Sequence, residues 1–475
     1  MRSAISTAVV ACLALAGCAT ARKADVSLPA AYEAPANAAP AASLALDRWW
    51  LNFNDPELTG LIEQALANNP DAKSAASRLK EAQAARVSAL VQFLPQGDAT
   101  AQTRRTTTEQ LSGTAANIPG FSTSGSSQTS AANFNVSWEV DLFGRVFAAA
   151  KAVGGDVAAA QFDYEGTRAS LAAQVADAYF LARGLAIQLA DQRETARIQR
   201  SLYDVTTKRA QVGIAATSDA DRIAGDLAQA ESQIATLEGE IQVQKRLLLI
   251  LAGRIVEPTA NINVSPVVGQ LPTVPVGLPS DLLARRPDVR EAQARIDSQL
   301  GRLQAARLAI LPTLLFTPGI GWSKIEQPGF SSTSQNHTIG GSITQPVLSI
   351  PRLLADAKAQ GARTEQAVIA YEKAVQTAFS DSEGALVRLD ADRRRVTILI
   401  DGEARAHRAF EASRIGYDRG ITDLQTTLSV EQSWRQTRTQ LTSAQVQALR
   451  GTVTAYKALG GGWPADKYIT QAQAR

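Results

Sequence analysis

The sequence predicts an α+β membrane protein built from one unit used twice: helix, β-hairpin, long helix, second helix. Three observations carry this. The stretches Gly120 to Glu257 and Arg352 to Trp463 contain no proline, as long helix interiors require. Segments with a two-residue hydrophobic period read as strands. The chain also repeats itself. Ala67-Asn68-Asn69-Pro70-Asp71 returns as Ala284-Arg285-Arg286-Pro287-Asp288, and Phe93-Leu94-Pro95 returns as Ile310-Leu311-Pro312, both 217 residues later. A repeat of this kind sets the architecture before any single element does.

The helices follow from composition and spacing. The proline-free blocks are rich in Ala, Gln, Leu, Glu and Arg, all good helix formers. Leu171, Val175, Ala178, Ala182, Leu185 and Leu189 are spaced by alternating steps of four and three. Val375, Phe379, Ser382, Leu386, Leu389, Arg393, Val396 and Ile400 repeat that spacing with two polar intrusions, a coiled-coil-like seam. A helix from about Phe147 to Val212 would be roughly 95 Å long, which predicts an extended molecule. Val212-Gly213-Ile214 and Arg419-Gly420-Ile421 mark matching turns between the long helices.

The strands follow from the change of period. Phe134, Val136, Trp138, Val140 and Leu142 alternate with Asn135, Ser137, Glu139 and Asp141, giving one apolar and one polar face. In the second unit Leu314, Phe316, Ile320 and Trp322 share a face. The neighbouring strand places Ile339 and Ile343 together. A strand over about 97–107 is expected from symmetry, having almost no apolar face. The Gly/Ser/Thr-rich stretches 108–129 and 326–335 are expected to be connections.

Such strands suit either a transmembrane barrel wall or a small soluble sheet packed on helices. The export signal described next and the long helices favour the membrane. Lipid tolerates no open sheet edge, so closure needs several copies: two supply eight strands and three supply twelve. The polar face, Asn133 with Asn135, Ser137, Glu139 and Asp141, would then line a wet lumen.

The N-terminus predicts export. Arg2 precedes an apolar stretch from Ala4 to Ala16 of signal-peptide length. Leu15-Ala16-Gly17-Cys18 resembles a lipobox, which implies cleavage before Cys18 and lipid on that cysteine. Cleavage removes Cys12, so the mature chain would contain no disulfide despite an oxidising compartment. No later apolar run reaches the ~20 residues of a membrane helix.

Composition narrows the function. The 475 residues carry 48 Lys+Arg and 45 Asp+Glu, a net charge of +3, with no basic footprint for nucleic acid. His337 and His407 are the only imidazoles, too few for a Cys/His metal cluster. No G-x-S-x-G elbow, Walker loop or H-E-x-x-H occurs. No catalytic, metal or cofactor-binding residues are therefore expected, the covalent lipid on Cys18 aside, and no enzymatic activity.

Three segments carry a family resemblance. Trp49-Trp50-Leu51-Asn52-Phe53-Asn54-Asp55-Pro56-Glu57-Leu58 resembles the W-W-x-x-F-x-D-P-x-L opening of outer-membrane efflux lipoproteins. Trp138-Glu139-Val140-Asp141-Leu142-Phe143-Gly144-Arg145 resembles their W-E-x-D-L-F-G-R, and Leu278 to Arg290 their L-P-S-x-L-L-x-R-R-P-D-V-R. The chain is thus similar to TolC-like outer membrane factors, in the lipoprotein branch serving resistance-nodulation-division (RND) pumps. The resemblance implies a homotrimer in outer-membrane lipid, with a 12-stranded β-barrel continued by a periplasmic α-helical barrel. It further implies a periplasmic adaptor (membrane fusion) protein and an inner-membrane RND transporter as partners, the chain itself being a passive duct.

The same resemblance implies a periplasmic end held shut near the helix turns. The candidate gate residues are Asp219, Asp221 and Arg222 in the first unit. In the second they are Tyr417, Asp418, Arg419, Asp423, Gln425, Ser429 and Glu431. Many relatives read L-D-A-Q where this chain has Leu428-Ser429-Val430-Glu431, so a simple acidic ring is in doubt, and Asp423 or Glu431 would have to substitute for it. Solvated helix-end charge is the plainer reading of each residue.

The expected organisation is a signal peptide at 1–17 and an anchored segment at 18–57. A first unit at 58–252 holds a hairpin at about 96–142 and long helices at about 146–252. A Pro-rich linker at 253–279 leads to a second unit at 280–460, with a hairpin at about 313–347 and helices at about 352–460, and a tail at 461–475. Competing functions are a type I secretion outer-membrane channel and a lipid-anchored periplasmic coiled-coil scaffold without a pore. Trp49-Trp50 is expected to be a core anchor.

Overall fold

The computed structural model describes residues 24–34, 44–109, 111, 125–275 and 277–465. Cys18, the signal peptide and most of the tail lie outside them. The first half runs α1 (Pro56–Asn68), α2 (Pro70–Val91), β1 (Gln96–Thr108), β2 (Gly125–Val140), α3 (Arg145–Gln211) and α4 (Thr217–Leu251). The second runs α5 (Pro287–Leu308), β3 (Thr313–Gln327), β4 (Phe330–Thr344), α6 (Ile350–Asp418) and α7 (Leu424–Ala458). Helices α2 and α5 both begin on the repeated proline, 217 residues apart, since proline is favoured where no amide partner is needed. None of the helices among the described residues is long and apolar enough to cross a membrane.

The chain divides into two compact units. One holds residues 80–158 and 293–369, hence all four strands with the adjoining helix ends. Its sheet is antiparallel in the order β1-β2-β3-β4. Inside this unit α3 and α5 cross at their backbones. A Cβ on Gly155 would lie 2.6 Å from the Ser298 amide nitrogen, and one on Gly301 2.6 Å from that of Ala152. Ser298 Oγ donates to Asp156 (2.6 Å), which also pairs with Arg302 (2.6 Å).

The other unit holds residues 24–79, 159–292 and 370–475. Its core gathers Trp49, Trp50, Phe53, Leu58 and Ile62 against Tyr179 and Phe180 of α3, Leu248 and Leu249 of α4, and Tyr456 of α7. Trp49 stacks on Tyr456 at 5.6 Å. The seam residues Leu171, Val175, Ala178, Ala182 and Leu185 are buried. In the second seam Ser382 is buried because its hydroxyl donates to the carbonyls of Ala378 (2.8 Å) and Ala458 (2.9 Å).

The family-like motifs act as fasteners here. Arg286 donates to both carboxylate oxygens of Asp288 (3.0 and 2.6 Å) and reaches the Ala458 carbonyl (3.3 Å). Arg285 pairs with Asp47 at 3.3 Å, and Trp463 Nε1 donates to its carbonyl at 2.8 Å. Asn69, at the matching place in the first half, caps α2 by accepting from Asp71 N (2.7 Å) and donates to the Leu251 carbonyl (3.0 Å).

Four expectations need correction. The connection expected over 108–129 is shorter, because β2 begins at Gly125 and residues 125–129 pair with β1, from Thr108↔Gly125 to Arg104↔Thr129. The stretch 326–335 is not a long connection: β3 and β4 pair from Thr313↔Thr344 to Gln327↔Phe330. Only two residues turn the chain, with Gly329 at φ +79°, a left-handed position that glycine enters without steric cost. Leu142 and Asp141 lie beyond β2, which ends at Val140. The Asp141 carboxylate accepts the amides of Val146 (3.0 Å) and Phe147 (3.1 Å), so it caps the start of α3 and is not a strand residue.

Candidate functional site

The sheet's register sorts its side chains into two faces. Phe134 pairs with Ala99 and Ile320, and Ile320 pairs with His337. Val136 pairs with Gly97, and Pro318 with Ile339. Trp138 pairs with Phe316, and Val140 with Leu314 opposite Ile343. One face is therefore apolar across all four strands. It includes β1, whose Gly97, Ala99 and Ala101 complete the rows. The pairing of β2 and β3 lapses only at Val136 and Ser137, opposite Pro318 and Thr317, because proline has no amide to donate.

These apolar side chains face outward unpacked. Phe134, Trp138, Phe316, Ile320 and Trp322 all remain exposed. Past the strand ends they continue into a collar of Leu94, Leu142, Phe143, Val347 and Leu348, also exposed. From the level of Trp322, opposite Ala132, to the end of β2 at Val140 is eight residues, about 26 Å at ~3.3 Å per residue. With a strand tilt of about 40° this gives about 20 Å of strand, which the collar extends towards the ~25 Å of a transmembrane barrel wall. Trp138, its Nε1 donating to the Phe93 carbonyl at 2.9 Å, lies near the middle of the band.

The opposite face is polar, with Asp98 beside Asn135 and Arg104 beside Thr129 as its charges within the β1–β2 register. Asn133 and Asn135 lie over glycines: a Cβ on Gly321 would lie 2.5 Å from Asn133 Oδ1, and one on Gly319 2.9 Å from Asn135 Oδ1. Ser323 and Ser334 hydroxyls meet at 2.7 Å. Glu139, at the strand end, pairs with Arg145. The sheet's edges, β1 and β4, have no strand partner among the described residues.

The helix turns form the second candidate site. Gly213 (φ +73°) and Gly420 (φ +74°) end α3 and α6. Ile214 N donates to the Arg209 carbonyl and Ile421 N to that of Gly416, both at 2.8 Å. This is one helix-terminating motif made twice. Val212, Ile214 and Ile421 are exposed there.

The expected tip residues occupy unlike settings. Asp219, at partial exposure, lies in the first turn of α4, and Asp221 and Arg222 are exposed. Arg419, Gln425 and Ser429 are exposed, while Asp418 lies 3.8 Å from Arg414. Asp423 caps α7, accepting from the Thr426 amide (2.8 Å) and hydroxyl (2.7 Å). These bonds hold its carboxyl below the ordinary range. Tyr417 is buried beneath the Arg209 guanidinium, 5.1 Å from its ring centre. Glu431 is fully buried.

The structure thus brings together Tyr417 and Arg209, the latter outside the expected set. Its only sequence signal is a basic residue four positions before the Gly213 turn. His407 lies 5.0 Å from the Trp434 ring, and His337 faces outward on β4. Among the described residues no group of acidic, His or Cys side chains could hold a metal ion.

Comparison with known proteins places this geometry. The family model described as outer membrane efflux protein matches residues 61–254 and 278–461. The pyoverdine export outer membrane protein OpmQ of Pseudomonas putida is 30% identical over 445 residues, covering 93% of each chain. The solvent efflux pump outer membrane protein SrpC of Pseudomonas putida is 26% identical over 87% of each. Among solved structures, the CmeC outer membrane channel of Campylobacter jejuni shares the fold with a TM-score of 0.81 at 23% identity, over 96% of this chain and 97% of its own.

Proposed function

This chain belongs to the outer membrane efflux protein family, and on that premise we propose that three copies close into one duct serving an RND-type pump. The observation that carries the reading is the sheet, with an outward apolar band that its collar extends towards ~25 Å, an inward face mostly of Asn, Ser, Thr and Gly, and two unpartnered edges. Lipid does not tolerate those edges. Two copies would give an eight-stranded barrel, whose interior side chains fill. Three give twelve strands and room for a lumen.

The helices support the same closure. Ion pairs link α3 to α4 (Arg193–Glu238, 2.6 Å) and α3 to α7 (Arg438–Asp191, 2.6 Å), and Phe410 of α6 stacks on Trp434 of α7. Aliphatic residues remain exposed on α4 (Val243, Leu247, Ile250) and on α6 (Ile398, Ile400). Neighbouring copies would cover these rows. A periplasmic adaptor protein would cover Val212, Ile214 and Ile421 at the turns. Cys18 would carry the lipid anchor. The lumen face, mostly Asn, Ser, Thr and Gly with both signs of charge at Asp98, Arg104 and Glu139, imposes no single chemical class on the exported substrate, and selection belongs to the pump.

Planar-bilayer conductance, with the oligomer mass measured in the same detergent, tests this. A trimer with discrete, mostly closed openings is expected. A monomer or dimer without conductance would overturn the duct and favour a scaffold.

A further inference from the structure

Glu431 of α7 is buried with one long ion pair, to Arg435 at 3.5 Å, and no hydrogen bond. No part of it reaches solvent, and neither carboxylate oxygen makes a hydrogen bond. Among the described residues no other acidic side chain is so fully enclosed. An ionised carboxylate held there without hydrogen bonds is strongly disfavoured over its neutral acid.

The charges around it do not neutralise it. On its own helix Arg435 Nε stands 3.5 Å away without a hydrogen bond. From α4, Asp226 acts as a like charge. On α3 and α4 Arg200 is taken by Glu231 (2.5 Å). On α6 Glu411 is taken by Arg414 (2.9 Å), and His407 lies against Trp434. Burial dominates and pushes the Glu431 carboxyl above its ordinary range, and Asp226 adds to this against the opposing pull of Arg435.

The surrounding packing is equally unfinished. Gln199 Oε1 and Thr206 Oγ1 on α3 are buried without partners. Arg435 lines a cavity of about 220 Å³ with Asp191, Thr195 and Trp434. Phe410 stacks on Trp434, three residues along α7 from Glu431, so aromatic packing borders these unpaired groups without satisfying them.

We propose that Glu431 is a proton-controlled latch: protonated, it lets α7 pack against α3 and α4 near the turns, and ionised, it drives that packing apart. The effect on transport rests on the duct reading above; the latch itself does not. Below the ordinary carboxylate range the proton is bound in both arrangements, so pH exerts no bias. As pH rises through the window between the ordinary and the raised value, the packed arrangement loses stability, and above it the bias is full. Within that window the ratio of parted to packed helices rises about tenfold per pH unit.

The test uses the full-length oligomer in detergent from about pH 4, below the ordinary glutamate value, in steps up to about pH 8, with Glu431→Gln and Glu431→Leu beside the parent. Amide hydrogen exchange, corrected for its intrinsic pH dependence, is read over residues 424–436, with 444–458 as the folding control. Conductance is measured on the same samples. In the parent, exchange over 424–436 and the open fraction should both rise several-fold at the higher pH, while both variants stay slow and closed. Variants that follow the parent's pH response would overturn the latch and leave the duct intact. Exchange that depends on Glu431 without conductance at any pH would keep the latch and overturn the duct.

Discussion

The Arg183 guanidinium of α3 closes on Asp55, the residue that also caps α1. One Asp55 oxygen accepts the amides of Glu57 and Leu58 (both 3.1 Å). The other takes Arg183 and the Tyr179 hydroxyl (3.0 Å). A single carboxylate thus caps the start of α1 and ties it to α3. Removing one partner of a buried pair leaves the other charge stranded, so Asp55→Ala should cost about 3–5 kcal/mol. Asp55→Asn, which keeps the cap, should cost less. Urea midpoints of the detergent-solubilised protein would rank them, and equal midpoints for parent and Asp55→Ala would show the pair to be dispensable.

On the outward sheet face, Trp138→Arg puts a charge near the middle of the apolar band. It should reduce the stability of the inserted protein by about 2–4 kcal/mol. Asn135→Arg, on the lumen face, should assemble nearly as well as the parent. Heat-resistant oligomer on gels reports both, and equal loss from the two would contradict the assigned faces.

Helix crossing at Gly301 leaves no room for a side chain. Gly301→Val should cost about 1–3 kcal/mol by overpacking. On α6, a methyl group on Gly361 would meet nothing within 4 Å, so Gly361→Ala should add about 0.5–1 kcal/mol through helix propensity. Opposite signs in the unfolding midpoint are the expected result.

At the second turn, Asp423 acts as a cap. Its carboxyl is held low, so the cap is in force above the ordinary carboxylate range and is lost as pH falls through the lowered value. Asp423→Ala should speed exchange over the first turn of α7 at neutral pH and erase its acid dependence. Charge reversal at Asp423 should leave single-channel conductance unchanged, and a large change would return it to the gate.

Arg209 lies over Tyr417 across α3 and α6. Arg209→Ala should lengthen channel openings, whereas Lys208→Ala, one residue away and exposed, should not. Identical open times for the two variants would remove the Arg209–Tyr417 contact from the closed state.

The sequence by itself determined the elements. Proline-free blocks located the long helices, although the first block also holds β2; a two-residue period fixed the faces of β2 and β3, and the repeated Asn-Pro-Asp and Arg-Pro-Asp marks disclosed the duplication. These are local properties, written in backbone freedom and side-chain spacing. Tertiary structure decided what depends on partners. Gly97, Ala99 and Ala101 read as a featureless run until register sets them beside Val136, Phe134 and Ala132. The Ser/Thr-rich stretch 326–335 reads as a loop until pairing satisfies its amides. Most of all, Asp423 and Glu431 stand eight residues apart as similar carboxylates near one turn. Only the packing of four helices leaves one in water and seals the other from it, because burial is a property of neighbours and not of the residue.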